Sequence, residues 1–185
     1  MKKTLLTLCL CAFSLLVTAQ EASVEKSVFG IQTGLIGLWV HNESRLSNKI
    51  ALRSEIGVDA GFWAGRNDTD MLLALVLSLE PKWYYNISKR KDKSKRIDGN
   101  SGNFISLKTS YHPDVVVAST NDNINLVSDL TIVPTWGIRR NIGNHFNYEA
   151  GIGVGYIHYF KEKNVRINGE ADVAVNLHAR IGYRF

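Results

Sequence analysis

The sequence has few of the residues that support covalent or metal chemistry. Its 185 residues include two cysteines, Cys9 and Cys11, and both lie in an apolar N-terminal segment. Because we expect that segment to be removed, the mature chain has no disulfide, no thiol nucleophile and no cysteine-based metal site. The five histidines include no pair spaced as H-x-H or H-x-x-x-H. The sequence therefore predicts no metal ion and no other cofactor.

Proline is also scarce, with three residues, which excludes a proline-rich linker. The numbers of basic and acidic side chains are also nearly equal. Removal of Lys2 and Lys3 with the N-terminal segment leaves 20 basic and 17 acidic side chains. Since a nucleic-acid-binding chain shows a concentrated basic face, this small surplus predicts no nucleic-acid partner. A hydrophobic fraction of 45% is too high for a disordered chain.

The N-terminus has the three regions of a secretory signal peptide. Met1–Lys3 is positively charged, residues 4–18 are apolar, and Val17-Thr18-Ala19 is a small-residue cleavage site. The apolar run is shorter than the ~20 residues that a spanning helix needs. We therefore predict a signal peptide at residues 1–19 and one mature domain at residues 20–185. An uncleaved membrane anchor is the alternative.

The mature chain contains long segments in which apolar and polar residues alternate. The clearest lie at about 50–62, 73–85, 146–160 and 173–185. Period two is typical of a β-strand with one apolar and one polar face. A strand of a soluble protein has ~5–6 residues, whereas a strand that crosses a bilayer at a tilt needs ~9–11. The long strands therefore favour an outer-membrane barrel over a secreted β-sandwich.

The number of strands follows from parity, because both termini of a bacterial barrel normally face the periplasm. Six strands are clear, at about 49–63, 71–86, 102–117, 125–140, 145–160 and 170–185. Residues 26–43 then supply two more, divided near Gly34 to Gly37. The predicted fold is all-β, a closed antiparallel eight-stranded transmembrane β-barrel after a cleaved signal peptide. Periplasmic turns are expected at 44–48, 87–101 and 141–144, and outer loops at 34–36, 64–70, 118–124 and 161–169.

The inward faces of these strands carry charges of both signs. The predicted lumenal charge network consists of Arg53, Glu55, Asp59, Glu80, Lys82, Lys108, Arg139, Glu149, His178 and Arg180, with Asp172 and Arg184 on the same face. The interior of an eight-stranded barrel is just wide enough to be filled by side chains. Because unpaired charges there are costly, we expect the network to pair across strands and plug the lumen. A gated pore whose pairs exchange partners is the alternative.

Two further patterns have a functional and a structural interpretation. Ser110 and His112 share a strand face, but catalysis would also require an orienting partner and an oxyanion hole. The sequence indicates neither, so we predict no catalytic residues. The basic run at residues 89–96 is either a solvated turn or a surface for anionic lipid headgroups.

Three segments resemble the small, mostly uncharacterised outer-membrane β-barrel proteins of Gram-negative bacteria, of the Bacteroidota type. They are LEPKWYYN at 79–86, RRNIGNHFNYE at 139–149 and HARIGYRF at 178–185. The resemblance implies a location in the cell outer membrane and contact with its lipid. It also implies that the barrel assembly machinery reads the closing strand, with Tyr183 and Phe185 as the assembly signal. The family has no established activity, so it implies no catalytic residues or ligand.

The sequence thus predicts a non-enzymatic integral outer-membrane protein with a structural or envelope-maintenance role. Three alternatives belong to other classes. A small, porin-like channel or transporter would conduct ions. A membrane-embedded lipid-modifying enzyme would lose its activity when Ser110 or His112 is replaced. A secreted soluble β-protein would partition into water without detergent.

Overall fold

The computed structural model describes residues 22–64, 69–121, 126–160 and 170–185. The predicted signal peptide at 1–19 and the predicted loop at 161–169 lie outside the described residues, as do parts of the loops at 64–70 and 118–124. The described strands are β1 (Ser27–Gly34), β2 (Gly37–Arg45), β3 (Ile50–Ala64), β4 (Thr69–Trp83), β5 (Gly102–His112), β6 (Val116–Ser119), β7 (Asp129–Ile142), β8 (Phe146–Tyr159) and β9 (Ala171–Arg184). A short helix, α1 (Ile87–Asp92), and a 3₁₀ turn at Asp98–Asn100 connect β4 to β5.

The antiparallel sheet closes on itself. β9 pairs with β1 from Gly34↔Arg180 to Gly30↔Arg184, which joins the last strand to the first. β5 and β6 both pair with β4, at different heights, and together occupy one position in the sheet. The described residues therefore form a closed eight-stranded barrel, which confirms the all-β fold and the number of strands predicted from parity.

The N-terminal segment supplies two strands, as predicted. β1 and β2 form a hairpin that closes at the pair Gly34↔Gly37. β2 continues to Arg45, two residues beyond the predicted limit of 43. Glu43, the last residue of the predicted segment, lies at an inward position of β2, and its side chain is fully buried.

Several predicted strand limits were wrong. The strand expected at 102–117 divides into β5 and β6 at Pro113, which has no N–H to donate to a neighbouring strand. Opposite this break, the register of β4 shifts between Leu73 and Ala74. β4 ends at Trp83 rather than 86 because the chain turns beneath the barrel there, with Tyr84 fully buried. β7 begins at residue 129 rather than 125.

Apolar side chains face outward around the barrel and polar side chains face inward. In β8, Ile152 and Val154 are 56% and 61% exposed, whereas Asn147 and Glu149 are 0% and 2% exposed. In β9, Leu177 is 73% exposed. The alternation read from the sequence is therefore present with its apolar face on the outside. Soluble proteins rarely expose a continuous apolar surface of this kind.

The two ends of the barrel differ. The turn end carries the connections at 46–49, 84–101 and 143–145, and the loop end carries the opposite connections. Buried apolar residues close the turn end, namely Ala22, Val24, Ala51, Tyr84, Ile87 and Phe104. Part of the turn predicted at 87–101 is thus packed against the barrel rather than fully solvated. No helix in the described part of the chain is long and apolar enough to cross a membrane.

Ion pairs and hydrogen bonds join the segment before β1 and the 3₁₀ turn at Asp98–Asn100 to β9, the last strand. Glu25, before β1, accepts a hydrogen bond from the Gly99 N–H at 2.5 Å and lies 3.1 Å from Arg184 Nη1. Arg184 Nη2 lies 2.9 Å from Asp98 Oδ2, and Arg96 also donates to this carboxylate. The hydrogen bond from Arg96 lowers the pKa of Asp98. Asp98 is therefore ionised at neutral pH and joins the 3₁₀ turn to β9.

Glycines opposite Trp39 make room for its indole inside the barrel. Trp39 is 3% exposed, and its Nε1 donates to Asp59 Oδ1 at 2.7 Å. A Cβ placed on Gly57 would lie 2.4 Å from Trp39 Cδ1 and 2.3 Å from the Leu38 carbonyl oxygen. Because the second contact is with backbone, a side-chain rotation cannot relieve it. Gly57 is therefore required by the space available rather than by backbone conformation.

We expect Gly57→Ala to lower the free energy of unfolding by about 1–3 kcal/mol, the usual cost of overpacking. The measurement is urea unfolding of the refolded protein, followed by tryptophan fluorescence. Ser54→Ala is the matched control, because Ser54 lies on the same strand and is exposed on the outer face. Equal midpoints for the two variants would show that the Leu38 backbone and Trp39 can both shift to accommodate a Cβ without cost.

Candidate functional site in the barrel interior

In the described part of the chain, the interior holds eight buried charged side chains, four acidic and four basic. They are Glu43, Glu55, Glu80, Glu149, Arg53, Lys82, Arg139 and Arg180. Each lies at an inward position of its strand, because side chains of a strand alternate between the two faces of the closed sheet. Seven of the eight belong to the network predicted from the sequence.

Glu43, on β2, joins the network to the closed turn end. Its Oε1 accepts a short hydrogen bond from Arg139 Nη1 and lies 3.6 Å from Arg53 Nη1. Its Oε2 accepts hydrogen bonds from the Tyr84 hydroxyl at 2.9 Å and from Asn100 Nδ2 at 2.8 Å. One carboxylate therefore connects two cations on different strands with two residues of the connection between β4 and β5.

Lys82, on β4, lies among three carboxylates and is fully buried. Its Nζ donates to Glu149 Oε1 at 2.7 Å and lies 3.5 Å from Glu80 Oε2 and 3.7 Å from Glu43 Oε1. The same ammonium lies 4.1 Å from the centroid of the Phe104 ring, within the range of a cation–π interaction. The ammonium group of Lys82 thus forms ion pairs with acidic residues of three strands.

Glu55, on β3, is held by two guanidinium groups. Arg53 donates to Glu55 Oε2 from Nε at 2.9 Å and from Nη2 at 2.7 Å. Arg180 Nη1 donates to the same oxygen at 2.8 Å, and its guanidinium lies 3.8 Å from the centroid of the Trp39 ring. Arg53 Nη2 also donates to Gln32 Oε1 at 2.6 Å. These contacts span β1, β3 and β9, so they cross the point where the barrel closes.

Pairing compensates for the cost of burying these charges. Each of the four carboxylates has a basic nitrogen within 3.5 Å. Glu80 additionally accepts a hydrogen bond from Ser106 Oγ at 2.5 Å. Moving one ion out of water costs several kcal/mol, which a partner and further hydrogen bonds can offset. Four positive and four negative side chains leave this buried set with no net charge.

Toward the loop end, the interior opens into a cavity of about 240 Å³. Its lining includes four members of the predicted network: Arg180 of the buried set, and three others, Asp59, Lys108 and His178. Lys108 Nζ lies 3.8 Å from Glu55 Oε1, and His178 Nε2 lies 3.6 Å from Glu149 Oε1. These three residues therefore adjoin the buried set but are less buried than its members.

Ser110 and His112 do not form a Ser–His pair. His112 Nδ1 lies 2.8 Å from Asp129 Oδ1, and its Nε2 lies 3.3 Å from Asp59 Oδ2. Both ring nitrogens therefore face carboxylates, which leaves neither of them to accept a proton from serine. Ser110 Oγ is hydrogen-bonded instead to Ser78 Oγ at 2.8 Å.

Two predicted inward residues lie elsewhere, and two interior residues were missed. Asp172 is exposed, and Arg184 pairs at the turn end. The missed residues, His41 and Glu43, follow Trp39 at alternate positions, so an extended period-two pattern would have found them. Both residues lie inside the predicted segment at 26–43, so the missing step was the assignment of an inward face to that segment.

The C-terminal aromatic residues lie on the outside of the barrel at the turn end. Tyr183 and Phe185 are 36% and 75% exposed, and their ring centroids are 5.4 Å apart. Phe185 also contacts Phe29 of β1 at 5.5 Å, and Tyr183 contacts Phe146 of β8 at 5.4 Å. These rings therefore line the junction between the last strand and both of its neighbours.

No family model, curated protein or solved structure matches this chain. Its chemistry is therefore read from its own geometry. Among the described residues, no group of three or more His, Cys, Asp or Glu side chains could hold a metal ion. The arrangement that dominates the interior is a set of paired charges, and this arrangement can join strands across the lumen.

We expect Glu43→Gln to lower the free energy of unfolding by about 3–5 kcal/mol, because Arg139 would keep its charge and lose its principal anion. Urea unfolding of the refolded protein measures this loss. Glu25→Gln is the control, since the Glu25 side chain is 39% exposed and its pair with Arg184 is worth at most about 1 kcal/mol.

The double variant Glu43→Gln/Arg139→Gln restores equal numbers of buried positive and negative charges. It should therefore be destabilised by less than the sum of the two single variants. Strict additivity of the two losses would show that Glu43 and Arg139 stabilise the barrel independently of each other.

Proposed function

We propose that this protein is an integral outer-membrane β-barrel without enzymatic activity, which serves a structural role in the envelope. The observation that carries the proposal is the direction of the side chains. Apolar residues cover the outside of a closed barrel, while eight charged residues are enclosed by it. Hydrocarbon solvates such an outer surface and water does not, so a bilayer is the medium in which this arrangement is stable.

Strand length and aromatic positions support a membrane location. β3, β4, β7, β8 and β9 have 14 or 15 residues, more than the ~9–11 that cross a bilayer at a tilt. Exposed aromatic rings lie at the turn end, where Tyr183 contacts Phe146, and at the loop end, where Tyr111 contacts Phe160. Aromatic residues favour the two membrane interfaces.

The filled interior supports a closed lumen. Arg53, Arg139, Lys82, Glu43 and Glu149 are each at most 2% exposed, and each of the three cations lies within 4 Å of both carboxylates. Below them, the apolar cluster and residues 98–100 cover the turn end. An eight-stranded barrel is normally filled in this way. The cavity at the loop end therefore serves as a recess rather than as one end of a channel.

We expect the refolded protein to require detergent or lipid for solubility and to produce no stable stepwise currents in planar bilayers. A sixteen-stranded porin in the same bilayers is the positive control, because its lumen is water-filled. Partition into detergent-free buffer would contradict the membrane location. Stepwise conductance from the inserted protein would contradict the closed lumen and favour the small-channel alternative.

Export and assembly complete the proposal. The predicted signal peptide takes the chain out of the cytoplasm, and the barrel assembly machinery reads the closing strand through Tyr183 and Phe185. The exposure of both rings at the end of β9 supports this role, because a receptor can contact them before the barrel closes. Phe185 follows the last residue of β9 and contacts β1, the strand with which β9 pairs.

We expect Phe185→Ser to reduce the amount of folded protein in the outer membrane at least several-fold. Phe146→Ser is the matched control, since Phe146 is also exposed and also contacts Tyr183. The measurement is the fraction that migrates as a compact, heat-modifiable barrel in membrane extracts. Both variants should refold equally in detergent, and a refolding defect confined to Phe185→Ser would assign this residue to stability instead of recognition.

A further inference from the structure

The connection between β4 and β5 forms a basic pocket at the turn end. The pocket encloses about 450 Å³ and is lined by five cationic side chains, Lys89, Arg90, Lys93, Lys95 and Arg140. The remaining lining residues are Tyr85, Asn86 and Asn103, so the lining contains no carboxylate. Asp92 and Asp98 lie in the same connection but do not line the pocket. This composition selects for an anion.

Both guanidinium groups of the pocket, those of Arg90 and Arg140, donate hydrogen bonds to uncharged carbonyl and amide oxygens. Arg140 Nη1 donates to the carbonyl oxygens of Gly102 at 2.8 Å and of Arg139 at 2.7 Å, while its Nη2 donates to Asn103 Oδ1 at 2.5 Å. Arg90 donates to the Arg96 carbonyl oxygen from Nε at 3.1 Å and from Nη2 at 2.8 Å. These contacts orient the cations and leave their positive charge uncompensated.

The pocket adjoins the aromatic rings and the apolar outer face. Tyr85 lines the pocket, and its hydroxyl accepts a hydrogen bond from Trp136 Nε1 at 3.0 Å. Trp83 lies 6.1 Å from Tyr85, measured between ring centroids. Beyond these rings, Ile105 is 47% exposed on the outside of β5. A molecule in the pocket could therefore place an anionic group among the cations and hydrocarbon along the strands.

We propose that this pocket binds a phosphate group, supplied by the headgroup of an anionic phospholipid whose acyl chains lie along the outside of β5 and β7. The proposal rests on the proposed membrane location. Guanidinium and ammonium groups are the usual protein ligands of phosphate. The adjoining tyrosine and tryptophan residues favour the headgroup level of a bilayer. Attraction to anionic lipid then fixes the turn end at one membrane surface.

The test compares two variants that each lose three positive charges at the turn end. The pocket variant is Lys89→Gln/Lys93→Gln/Lys95→Gln. The control variant is Lys26→Gln/Arg45→Gln/Lys49→Gln, whose residues are exposed and lie outside this pocket. The folded full-length mature chain in a neutral maltoside detergent is titrated with phosphatidylglycerol, with diacylglycerol of the same chains, and with inorganic phosphate. Native mass spectrometry measures the bound lipid, and tryptophan fluorescence measures all three titrations.

We expect the pocket variant to bind phosphatidylglycerol at least tenfold more weakly than the unaltered protein, and the control variant to bind it within twofold. Diacylglycerol should bind to none of the three proteins. Equal weakening in both variants would reduce the effect to general charge attraction and overturn the proposal, as would equal binding of diacylglycerol. Binding of inorganic phosphate as tight as that of phosphatidylglycerol would support a phosphate site and identify free phosphate as its ligand.

Failure of the membrane location and failure of the phosphate site would give different experimental results. A protein that stays monomeric in detergent-free buffer, and whose pocket variant still loses inorganic phosphate binding, would retain the phosphate site and refute the membrane location. A heat-modifiable barrel in detergent, with no loss confined to the pocket variant, would retain the membrane location and refute the phosphate site.

Discussion

Charged side chains enclosed by a sheet with an apolar outer surface have to neutralise one another, and the remaining structure depends on this constraint. An ion that cannot reach water needs a counter-ion within a few ångströms. Arg53 meets this requirement across the lumen, since it contacts Glu55 on its own strand, Gln32 on β1 and Glu149 on β8. Such contacts join strands that are distant along the chain. They also penalise a one-residue slip of register, because a slip would turn the charges toward the outer face.

The same pairing explains why the turn end is closed. Glu43 accepts hydrogen bonds not only from Arg139 but also from Tyr84 and Asn100, in the connection between β4 and β5. Asn100 in turn accepts a hydrogen bond from the Glu25 N–H at 2.8 Å, which ties down the segment before β1. The charged interior and the cover of the turn end are therefore one hydrogen-bonded unit.

The local alternation of apolar and polar residues predicted most of the fold. The errors arose where tertiary contacts determine the structure. Period two located the strands, parity divided the N-terminal segment, and alternation identified seven buried charges. Glu43 escaped although it lies within the predicted segment at 26–43, because no inward face was assigned to that segment. The turn at 87–101 was predicted from the sequence, but nothing local shows that Asn100 is needed beneath the barrel. Pro113 could have predicted the break in the fifth strand, since it lacks a donor. The pairing partners depend on distances across the lumen, which a sequence pattern does not contain.

The two ends of the barrel differ, so the molecule is asymmetric along the barrel axis. The turn end combines a buried apolar cluster, aromatic rings and the cations around Arg140, whereas the loop end has a cavity lined in part by Asp59, Lys108 and His178. On our proposal, a basic pocket beside an apolar wall would bind anionic headgroups, so that lipid charge and hydrocarbon would act together on one end. Ionic contacts inside the barrel hold its strands in register, and the proposed contacts of the pocket with lipid would hold the barrel at a fixed depth. Both follow from placing charge only where a partner, protein or lipid, can neutralise it.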